Sequence, residues 1–570
     1  MRNITPSNYT SAQLDAKEYL CEQAELNFTD VTPKDSLDMH MLGELRILGK
    51  SIAILIRFPL SFPLEYPKLF TDRNEWFLQY PHIEIPEDIL GNSQKYYGIC
   101  LEPESDKSYE PNPMILTHIL LTKVKNFISE LLSGKLDQND FYEELESYQN
   151  IKPGTILLDA ELELPDGGFI NMYHAKGVND LLIIADTNRL DSIKNIGGSI
   201  TSRKMLYFDL KDHYRVPFPI TVGKLHKNII QAGYKTILQK AYKEKDLYPC
   251  LLIGMNLPNG KKHYIAYWIE DFLPKTLQGS KSGIFSILTY LSNPMTANRY
   301  LSAYRVRHFN KQRVFYRAAG QKGKKMSNNN LSIAIIGCGS VGASLAFKLA
   351  KSGFSNILLI DPQLFNIDNT GRHILGLESI GVNKAEGTAN LLRSQYLDMH
   401  VEAIADHAER HIDSLCDVDI IISAVGGDAP VLEKALCDKS QLGELPPVIA
   451  CWLEAYAFAG HAVLIDESSA HSISMIYPKL SLLNEEDTST LEEKDAGCNA
   501  NFMPYSFLEA DQHITQFAKM IAQYAQAEKV LPVLTSIGDF NDLIANNLKT
   551  DGKISPNSIL RRSYEEIFSA

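Results

Sequence analysis

Long apolar runs are missing from this sequence, and their absence argues against membrane-spanning helices. Among its 570 residues no stretch approaches the roughly 20 consecutive apolar residues that a membrane-spanning helix needs. The segment from Met1 to Pro6 contains a basic residue but no apolar run behind it, so no secretory signal is visible. We therefore expect a cytoplasmic protein that has no membrane partner.

Paired cysteines are also missing. The eight cysteines are scattered singly, without a CxxC pair and without a Cys/His cluster at zinc spacing. Neither a zinc site nor a disulfide framework is therefore predicted. A lone cysteine becomes a candidate nucleophile only in a polar, glycine-bearing or proline-bearing loop, and Cys100 and Cys498 meet that condition.

An excess of positive charge is absent as well, because the formal net charge at pH 7 is −13. Binding to the phosphates of nucleic acids requires clustered lysine and arginine side chains, so nucleic acid is not expected as the principal partner. Internal repeats and low-complexity segments are not found either. Protein or nucleotide partners are therefore favoured.

The length predicts several domains, since single hydrophobic cores stop growing near roughly 300 residues. Residues 1–150 give an α+β pattern with helices over Ser11–Asn27 and Met114–Leu132 and strands over Gly43–Gly49 and Ile52–Phe58. Residues 151–320 form a mixed α/β middle region without a recognisable constellation of chemical groups. Residues 321–570 form the last domain, and the fold class overall is α/β.

A glycine turn opens the last domain. The β-branched run Ser332–Ile336 ends at a turn containing Gly337, Gly339 and Gly342, and a helical pattern follows. Such glycines let the backbone approach phosphates, and the N-terminus of the following helix offers N–H groups to their negative charge. A second strand delivers Asp361 at the spacing, roughly 20 residues on, where an acidic side chain binds ribose hydroxyls. The pattern predicts a Rossmann-like nucleotide-binding domain.

Two cations after this strand favour ATP over a nicotinamide dinucleotide. Arg372 lies in a polar loop, and Lys384 stands at the start of the next helical pattern. Near a triphosphate, these cations would neutralise charge as a carboxylate attacks the α-phosphate and pyrophosphate leaves. Hydride transfer needs neither of them, although an NAD-dependent dehydrogenase stays open as an alternative.

The glycine turn, Asp361, the loop with Arg372 and the helix start at Lys384 together resemble the adenylation domain shared by ThiF, MoeB and the ubiquitin-activating enzymes. The resemblance implies ATP and Mg²⁺ as cofactors, Arg372 and Lys384 as catalytic residues, and Asn369 in the nucleotide-binding loop. Asp428, after a hydrophobic strand pattern, is the candidate Mg²⁺ ligand, with a helix N-cap as the alternative. The family forms homodimers in which an arginine reaches the partner's ATP; Arg317 is the candidate, and a basic surface helix is the alternative.

The same resemblance implies a catalytic role for Cys498. In ubiquitin-activating enzymes a cysteine beyond the core adenylation strands captures the acyl adenylate as a thioester, and the polar loop around Cys498 permits thiolate chemistry. An inert cysteine is the alternative. The zinc-binding CxxC pairs of ThiF and MoeB are missing, which disfavours activation of a sulfur carrier. Cys338, inside the glycine turn, is interpreted as a packing residue.

The first domain resembles the ubiquitin-conjugating enzymes. Four motifs carry the resemblance, in the order Phe62–Pro67, Tyr80–Ile83, Gly98–Leu101 and Tyr109–Pro111. It implies that Cys100 carries a thioester. His82 occupies the place of the family's asparagine, where it would donate a hydrogen bond to the oxyanion or serve a structural role. An inactive relative that only binds partners is the alternative for the whole unit.

The order of the three units is similar to a bacterial fusion found in CBASS anti-phage operons. That resemblance implies activation of the C-terminal carboxylate of a cGAS-like nucleotidyltransferase and its ligation, through Cys498 and Cys100, to a target lysine. Two alternatives remain: a bacterial conjugation system outside CBASS whose donor is a small ubiquitin-like protein, and a non-catalytic scaffold.

Overall fold

The structure is a computed structural model. It describes residues 9–23, 26–77, 79–101, 110–137, 140, 145–176, 181–196, 198–211, 221–241, 244, 247–257, 260–269, 291–319, 330–426, 432–433, 435–436, 445–466, 473–483, 493–494, 501–545 and 554–569. Within these ranges no helix is long and apolar enough to cross a membrane.

The N-terminal unit is an antiparallel sheet of order β1-β2-β3-β4-β6-β5 with two helices packed on it. Helix α1 begins with a capping box between Thr10 and Gln13. The elements are α1 (Ser11–Glu22), β1 (Thr29–Asp30), β2 (Met39–Ile47), β3 (Lys50–Phe58), β4 (Lys68–Thr71), β5 (Ile83–Glu87), β6 (Tyr96–Ile99) and α2 (Pro113–Leu132).

Two predicted boundaries in this unit are wrong. Helix α1 ends at Glu22 instead of Asn27, because the chain turns after the helix and Asn27 itself adopts a left-handed conformation with φ 46°. Strand β2, predicted to end at Gly49, ends at Ile47, since Leu48 and Gly49 both have positive φ (49° and 77°) and make the two-residue turn of a hairpin. Strand propensity alone does not show where such a turn lies.

The middle unit closes into a seven-stranded barrel of order β10-β11-β12-β13-β7-β9-β8. Side chains from every strand fill its interior, among them Tyr207, while the neighbouring Leu206 and Phe208 face outward against helices. The elements are β7 (Asn150–Asp159), β8 (Gly167–Lys176), β9 (Leu181–Ile184), α3 (Leu190–Lys194), β10 (Ser199–Asp209), α4 (Val222–Gln231), α5 (Lys235–Ala241), β11 (Leu247–Asn256), β12 (Lys262–Trp268) and β13 (Ser302–Phe309).

The C-terminal unit is an eight-stranded sheet of order β16-β15-β14-β17-β18-β19-β22-β23. Strands β16, β15, β14, β17 and β18 are parallel to one another, and the remaining neighbours pair antiparallel. Apolar side chains of three helices cover one face, with Leu345, Leu392 and Phe517 fully buried. The Rossmann-like architecture predicted for this part of the chain is confirmed.

The elements of this unit follow the chain in the order α6 (Lys311–Ala319), β14 (Ser332–Ile336), α7 (Ser340–Lys351), β15 (Asn356–Ile360), α8 (Lys384–Arg393), β16 (His400–Ile404), α9 (Ile412–Leu415), β17 (Ile420–Ser423), β18 (Val448–Leu453), β19 (Ala459–Ile465), α10 (Ile473–Leu480), β20 (Glu493–Lys494), β21 (Asn501–Phe502), α11 (Phe507–Ala525), β22 (Val533–Ile537), α12 (Asn541–Ala545), β23 (Ile559–Arg562) and α13 (Tyr564–Ser569). Among the described residues, strands β20 and β21 form a separate two-stranded sheet.

Candidate active site

The glycine turn connects β14 to α7 at the carboxyl edge of the parallel strands. Gly337 has a φ of 86°, which a residue with a side chain rarely adopts, and a Cβ atom there would lie 2.7 Å from the Ala424 carbonyl oxygen. A Cβ atom on Gly342 would lie 1.7 Å from the Gly337 carbonyl oxygen. Helix α7 starts at Ser340 without a side-chain cap, so the N–H groups of its first turn remain free to bind an anion.

Asp361 follows β15 beside this turn and is 5% exposed. Its carboxylate accepts hydrogen bonds from the Cys338 amide at 2.6 Å and from the Gln363 amide at 2.7 Å. Cys338 is fully buried, as expected of a packing residue, and burial raises the pKa of its thiol. The backbone bonds fix Asp361 as an acceptor at the edge where the sequence predicts ribose binding.

Lys384 is the first residue of α8 and is only 7% exposed. The Asn383 side chain caps this helix by accepting the Ala385 amide at 2.8 Å, and its own amide donates to the Asp361 carbonyl oxygen at 2.8 Å. The Lys384 ammonium donates to the Gln363 side-chain oxygen at 2.7 Å. Burial lowers the pKa of Lys384, and the nearby Asp361 carboxylate opposes that shift.

Arg372 packs on an aromatic ring that borders the glycine turn. Its guanidinium lies 5.1 Å from the centroid of Tyr505, and the Tyr505 hydroxyl is 2.6 Å from the Ser340 hydroxyl. Tyr505 comes from the segment before α11, more than a hundred residues along the chain. The arrangement therefore links Arg372 to the first turn of α7 through a residue that sequence reasoning did not single out.

His373 supports the same turn from inside the protein. Its Nδ1 atom accepts the Leu375 amide at 3.1 Å, so the proton is on Nε2, which donates to the Cys338 carbonyl oxygen at 2.8 Å. Burial lowers the pKa of His373, which keeps this imidazole neutral. The histidine thus fixes the turn without contributing a charge.

Two cavities meet at the glycine turn. The smaller has a volume of about 140 Å³ and is lined by Gly337, Gly339, Asp361 and Gln363 together with His407. The larger has a volume of about 700 Å³, shares Gly339 with the first and extends past Tyr505 to the end of β18. A nucleotide and a second substrate could therefore approach the same turn from two sides.

The other predicted residues of this domain occupy different positions. The Asn369 side chain accepts the Asn366 amide at 3.1 Å and caps the 3₁₀ turn Ile367–Arg372. Arg317 lies exposed in the last turn of α6. Asp428 and Cys498 lie outside the described residues. Within the described part of the chain, no group of three or more His, Cys, Asp or Glu residues is placed to hold a metal ion.

Cys100 and His82 are neighbours in the N-terminal unit. The Cys100 amide donates to the His82 carbonyl oxygen at 2.9 Å, beside the pair Ile83 and Ile99 of strands β5 and β6. His82 has a φ of 64°, an uncommon conformation for a residue with a side chain. Its Nε2 atom is 3.1 Å from a carboxylate oxygen of Asp140. The half-buried Cys100 therefore follows β6 with its backbone directly beside that of the histidine predicted to accompany it.

The C-terminal unit is similar to known proteins. Residues 309–530 match the model of the ThiF family. One similar protein is the ATP-dependent ubiquitin transferase-like protein Cap2 of Vibrio cholerae serotype O1, 26% identical over 210 residues, or 35% of this chain and 36% of that protein. Another is the protein of the same name from Pseudomonas aeruginosa, 30% identical over 145 residues, or 24% of this chain and 25% of that protein. The matches thus span about a third of the first relative's length and a quarter of the second's.

Solved structures similar to this chain include PaaA and Escherichia coli MccB crystallised with ATP. PaaA is 16% identical with a TM-score of 0.32, and the match covers 40% of this chain and 78% of PaaA. MccB is 15% identical with a TM-score of 0.30, and the match covers 51% of this chain and 73% of MccB. The resemblance stated from the glycine turn onward is confirmed by the match of residues 309–530 to the ThiF family model.

Proposed function

We propose that the C-terminal domain uses ATP to adenylate the C-terminal carboxylate of a donor protein. The observation that carries the proposal is the convergence of Arg372 and Lys384, from separate segments, on the edge of the sheet that holds the glycine turn and Asp361. The names of the similar proteins, which contain the words ATP-dependent ubiquitin transferase-like, support it.

Each group has a task in this reaction. The turn amides and the N-terminus of α7 bind phosphate oxygens, and Asp361 accepts hydrogen bonds from the ribose. A carboxylate oxygen of the donor forms a bond to the α-phosphorus while the bond to the bridging oxygen breaks and pyrophosphate leaves. Arg372 and Lys384 stabilise the negative charge that builds up on the phosphoryl oxygens. Mg²⁺, held with the help of Asp428, would supply further positive charge to the phosphates.

We propose that the acyl group then moves along a relay of thiols. The Cys498 sulfur forms a bond to the carbonyl carbon, AMP leaves, and the thiol proton passes to solvent. The Cys100 sulfur takes the acyl group by thioester exchange, which frees Cys498. A target lysine amine finally attacks this thioester while His82 donates a hydrogen bond to the oxyanion. An amide bond forms, the bond to the Cys100 sulfur breaks, and the amine proton leaves with the released thiol or passes to solvent. No oxidation state changes in any of these steps.

The partners follow from this relay. The donor is a protein with a free C-terminus, and we favour a cGAS-like nucleotidyltransferase in an anti-phage system over a small ubiquitin-like protein. The acceptor is a protein lysine. We further propose a homodimer in which the exposed Arg317 of one protomer approaches the nucleotide of its partner.

A trapping experiment tests the proposal. The Cys100→Ser variant, expressed with the proteins encoded beside it, should form an ATP-dependent oxyester that mass spectrometry assigns to residue 100 and to the C-terminus of the donor. Lys384→Ala should abolish the adduct and the ATP–pyrophosphate exchange that precedes it. The exposed residues Lys519 and Cys21 provide matched controls, because Lys519→Ala and Cys21→Ser should leave both signals unchanged. Undiminished ATP–pyrophosphate exchange in Lys384→Ala would contradict the proposed adenylation.

A further inference from the structure

The larger of the two cavities has walls of one charge sign. Two charged residues line it in the described part of the chain, and both are glutamates, Glu433 and Glu454. The described lining contains no lysine, arginine or histidine. Its other walls are largely apolar, and they include the rings of Trp452 and Tyr477. Next to these two glutamates, away from the start of α7, a positively charged group is favoured over a negatively charged one.

Glu454 is fixed in this wall by its surroundings. It follows β18 at the same edge of the sheet as the glycine turn, and its side chain is 8% exposed. The Leu482 amide donates to its two carboxylate oxygens at 3.0 and 3.1 Å. The next turn contains Tyr456 and Ala457, both with positive φ (54° and 51°), a strained backbone of the kind that functional sites retain.

A chain of buried hydrogen bonds keeps Glu454 an acceptor. A guanidinium can only donate, so Arg562 donates to the Thr535 hydroxyl at 2.9 Å, which leaves that hydroxyl proton for Nδ1 of His461 at 3.1 Å. The His461 proton is then on Nε2, which donates to Glu454 at 2.7 Å. His461 is fully buried and stacks on Trp452 at 5.1 Å. The whole chain points hydrogen-bond donors toward a carboxylate at the cavity wall.

The aromatic wall suits the same kind of guest. The rings of Trp452 and Tyr477 contact each other with centroids 5.1 Å apart. Aromatic faces attract cations, and the methylene stem of a lysine or arginine packs on them while its head group reaches a carboxylate. A carboxylate and two aromatic rings together select a long cationic side chain over an acidic or a purely apolar one.

We propose that the donor's C-terminal tail carries a lysine or arginine that enters this cavity and pairs with Glu454. Glu454 is then a specificity-determining residue for the tail. The inference rests on the proposed adenylation, because the cavity borders Gly339, Ser340 and Tyr505, so a tail lying in it brings its carboxylate to the glycine turn.

Direct peptide binding tests the inference on the full chain. The probes are short fluorescein-labelled alanine-glycine peptides with a free C-terminal carboxylate and with lysine, norleucine or glutamate at one position, placed at each site near the C-terminus in turn. Fluorescence anisotropy should show the best lysine peptide binding about tenfold tighter than its norleucine counterpart, with glutamate weaker still. This preference should shrink as salt is added.

The variants assign the preference to one residue. Glu454→Gln keeps the shape and the acceptor for His461 but removes the charge, so lysine and norleucine peptides should bind alike. Glu402→Gln, on the exposed face of edge strand β16, should retain the wild-type preference. Absence of any lysine preference in the unmodified protein overturns the inference without reference to a variant, as does a preference that persists in Glu454→Gln.

The same peptides separate this inference from the proposed function. ATP–pyrophosphate exchange is measured beside binding. Lysine-selective binding without exchange at any peptide concentration contradicts the adenylation proposal and supports the cavity's specificity. Exchange supported equally by lysine, norleucine and glutamate peptides supports adenylation and contradicts the role of Glu454.

Discussion

Lys384 carries its ammonium group in a place where charge is costly. The side chain is 7% exposed, and its hydrogen bond to Gln363 satisfies only one of its donors. Burial therefore lowers the pKa of Lys384 below the ordinary value of 10.5. A phosphate oxygen next to the ammonium would favour the charged form, so the site gains most from Lys384 when the nucleotide is bound.

This burial predicts an alkaline limit on activity. As pH rises through the lowered pKa, free enzyme loses the Lys384 charge, so kcat/KM for ATP in the exchange reaction should fall at a lower pH than an ordinary lysine would allow. Lys384→Arg keeps its charge throughout, and the falling limb should move to higher pH even if the rate is reduced. An identical limb in the two proteins would show that another group sets it.

Some residues of the candidate site can be predicted from their spacing in the sequence, and others cannot. Asp361, Arg372 and Lys384 stand at fixed distances from the glycine turn, and those spacings predict a shared nucleotide site. Tyr505 and Glu454 come from distant segments and carry no such spacing. Glu454 nevertheless stands directly after a buried strand pattern, and the rule that ligands bind at the carboxyl ends of parallel strands could have identified it.

At the scale of the element, two glycines of the same turn have different physical requirements. Gly342 packs against the backbone, where a Cβ atom would lie 1.7 Å from the Gly337 carbonyl oxygen, whereas a Cβ atom on Gly339 meets nothing within 4 Å. The φ of Gly339 is −75°, which any residue adopts. Gly342 therefore sets how closely β14 and α7 approach each other, whereas Gly339 keeps space open for a ligand.

This difference predicts that alanine substitution destabilises the domain at Gly342 but not at Gly339. Gly342→Ala should push α7 away from β14, destabilise the C-terminal domain by about 3 kcal/mol or more and abolish ATP binding. Gly339→Ala should leave the melting temperature unchanged and weaken ATP binding alone. Calorimetric unfolding and titration with ATP measure the two quantities. Equal melting temperatures for the two variants would contradict the close packing at Gly342.

The elements of the C-terminal unit were predictable because their signals are local. Ser332–Ile336 is a strand in the structure as in the sequence, since a β-branched run between a polar loop and a glycine turn has few alternatives. The barrel was not predictable in the same way. Its closure depends on the parallel pairs β10/β11, β13/β7 and β7/β9, which join segments far apart in the chain and leave no periodic signature in any one of them.

At the scale of the whole molecule, one arginine joins the barrel to the C-terminal unit. Arg189, 15% exposed, contacts the nearly buried Asp159 of β7 at 3.0 Å and Asp398 of the C-terminal unit at 2.7 Å. Apolar packing joins the same two units, because Leu397 of the C-terminal unit lies in one cluster with barrel residues that include Phe309 of β13. The middle unit therefore contacts the C-terminal unit through an arginine whose charge is shared by three carboxylates, since Glu161 lies 3.3 Å from the same guanidinium.

Removing that arginine should loosen the contact between the two units. Arg189→Ala leaves Asp159 and Asp398 without their shared cation, and the loss of one partner from a buried ion pair costs about 3 kcal/mol or more. Hydrogen exchange at Leu397 and along β9 should accelerate accordingly. Lys194→Ala is the matched control, because its ion pair with Asp191 is exposed and should not affect those amides. If Arg189→Ala left this protection intact, the apolar cluster would be sufficient to hold the two units together, and the bridge would only set their orientation.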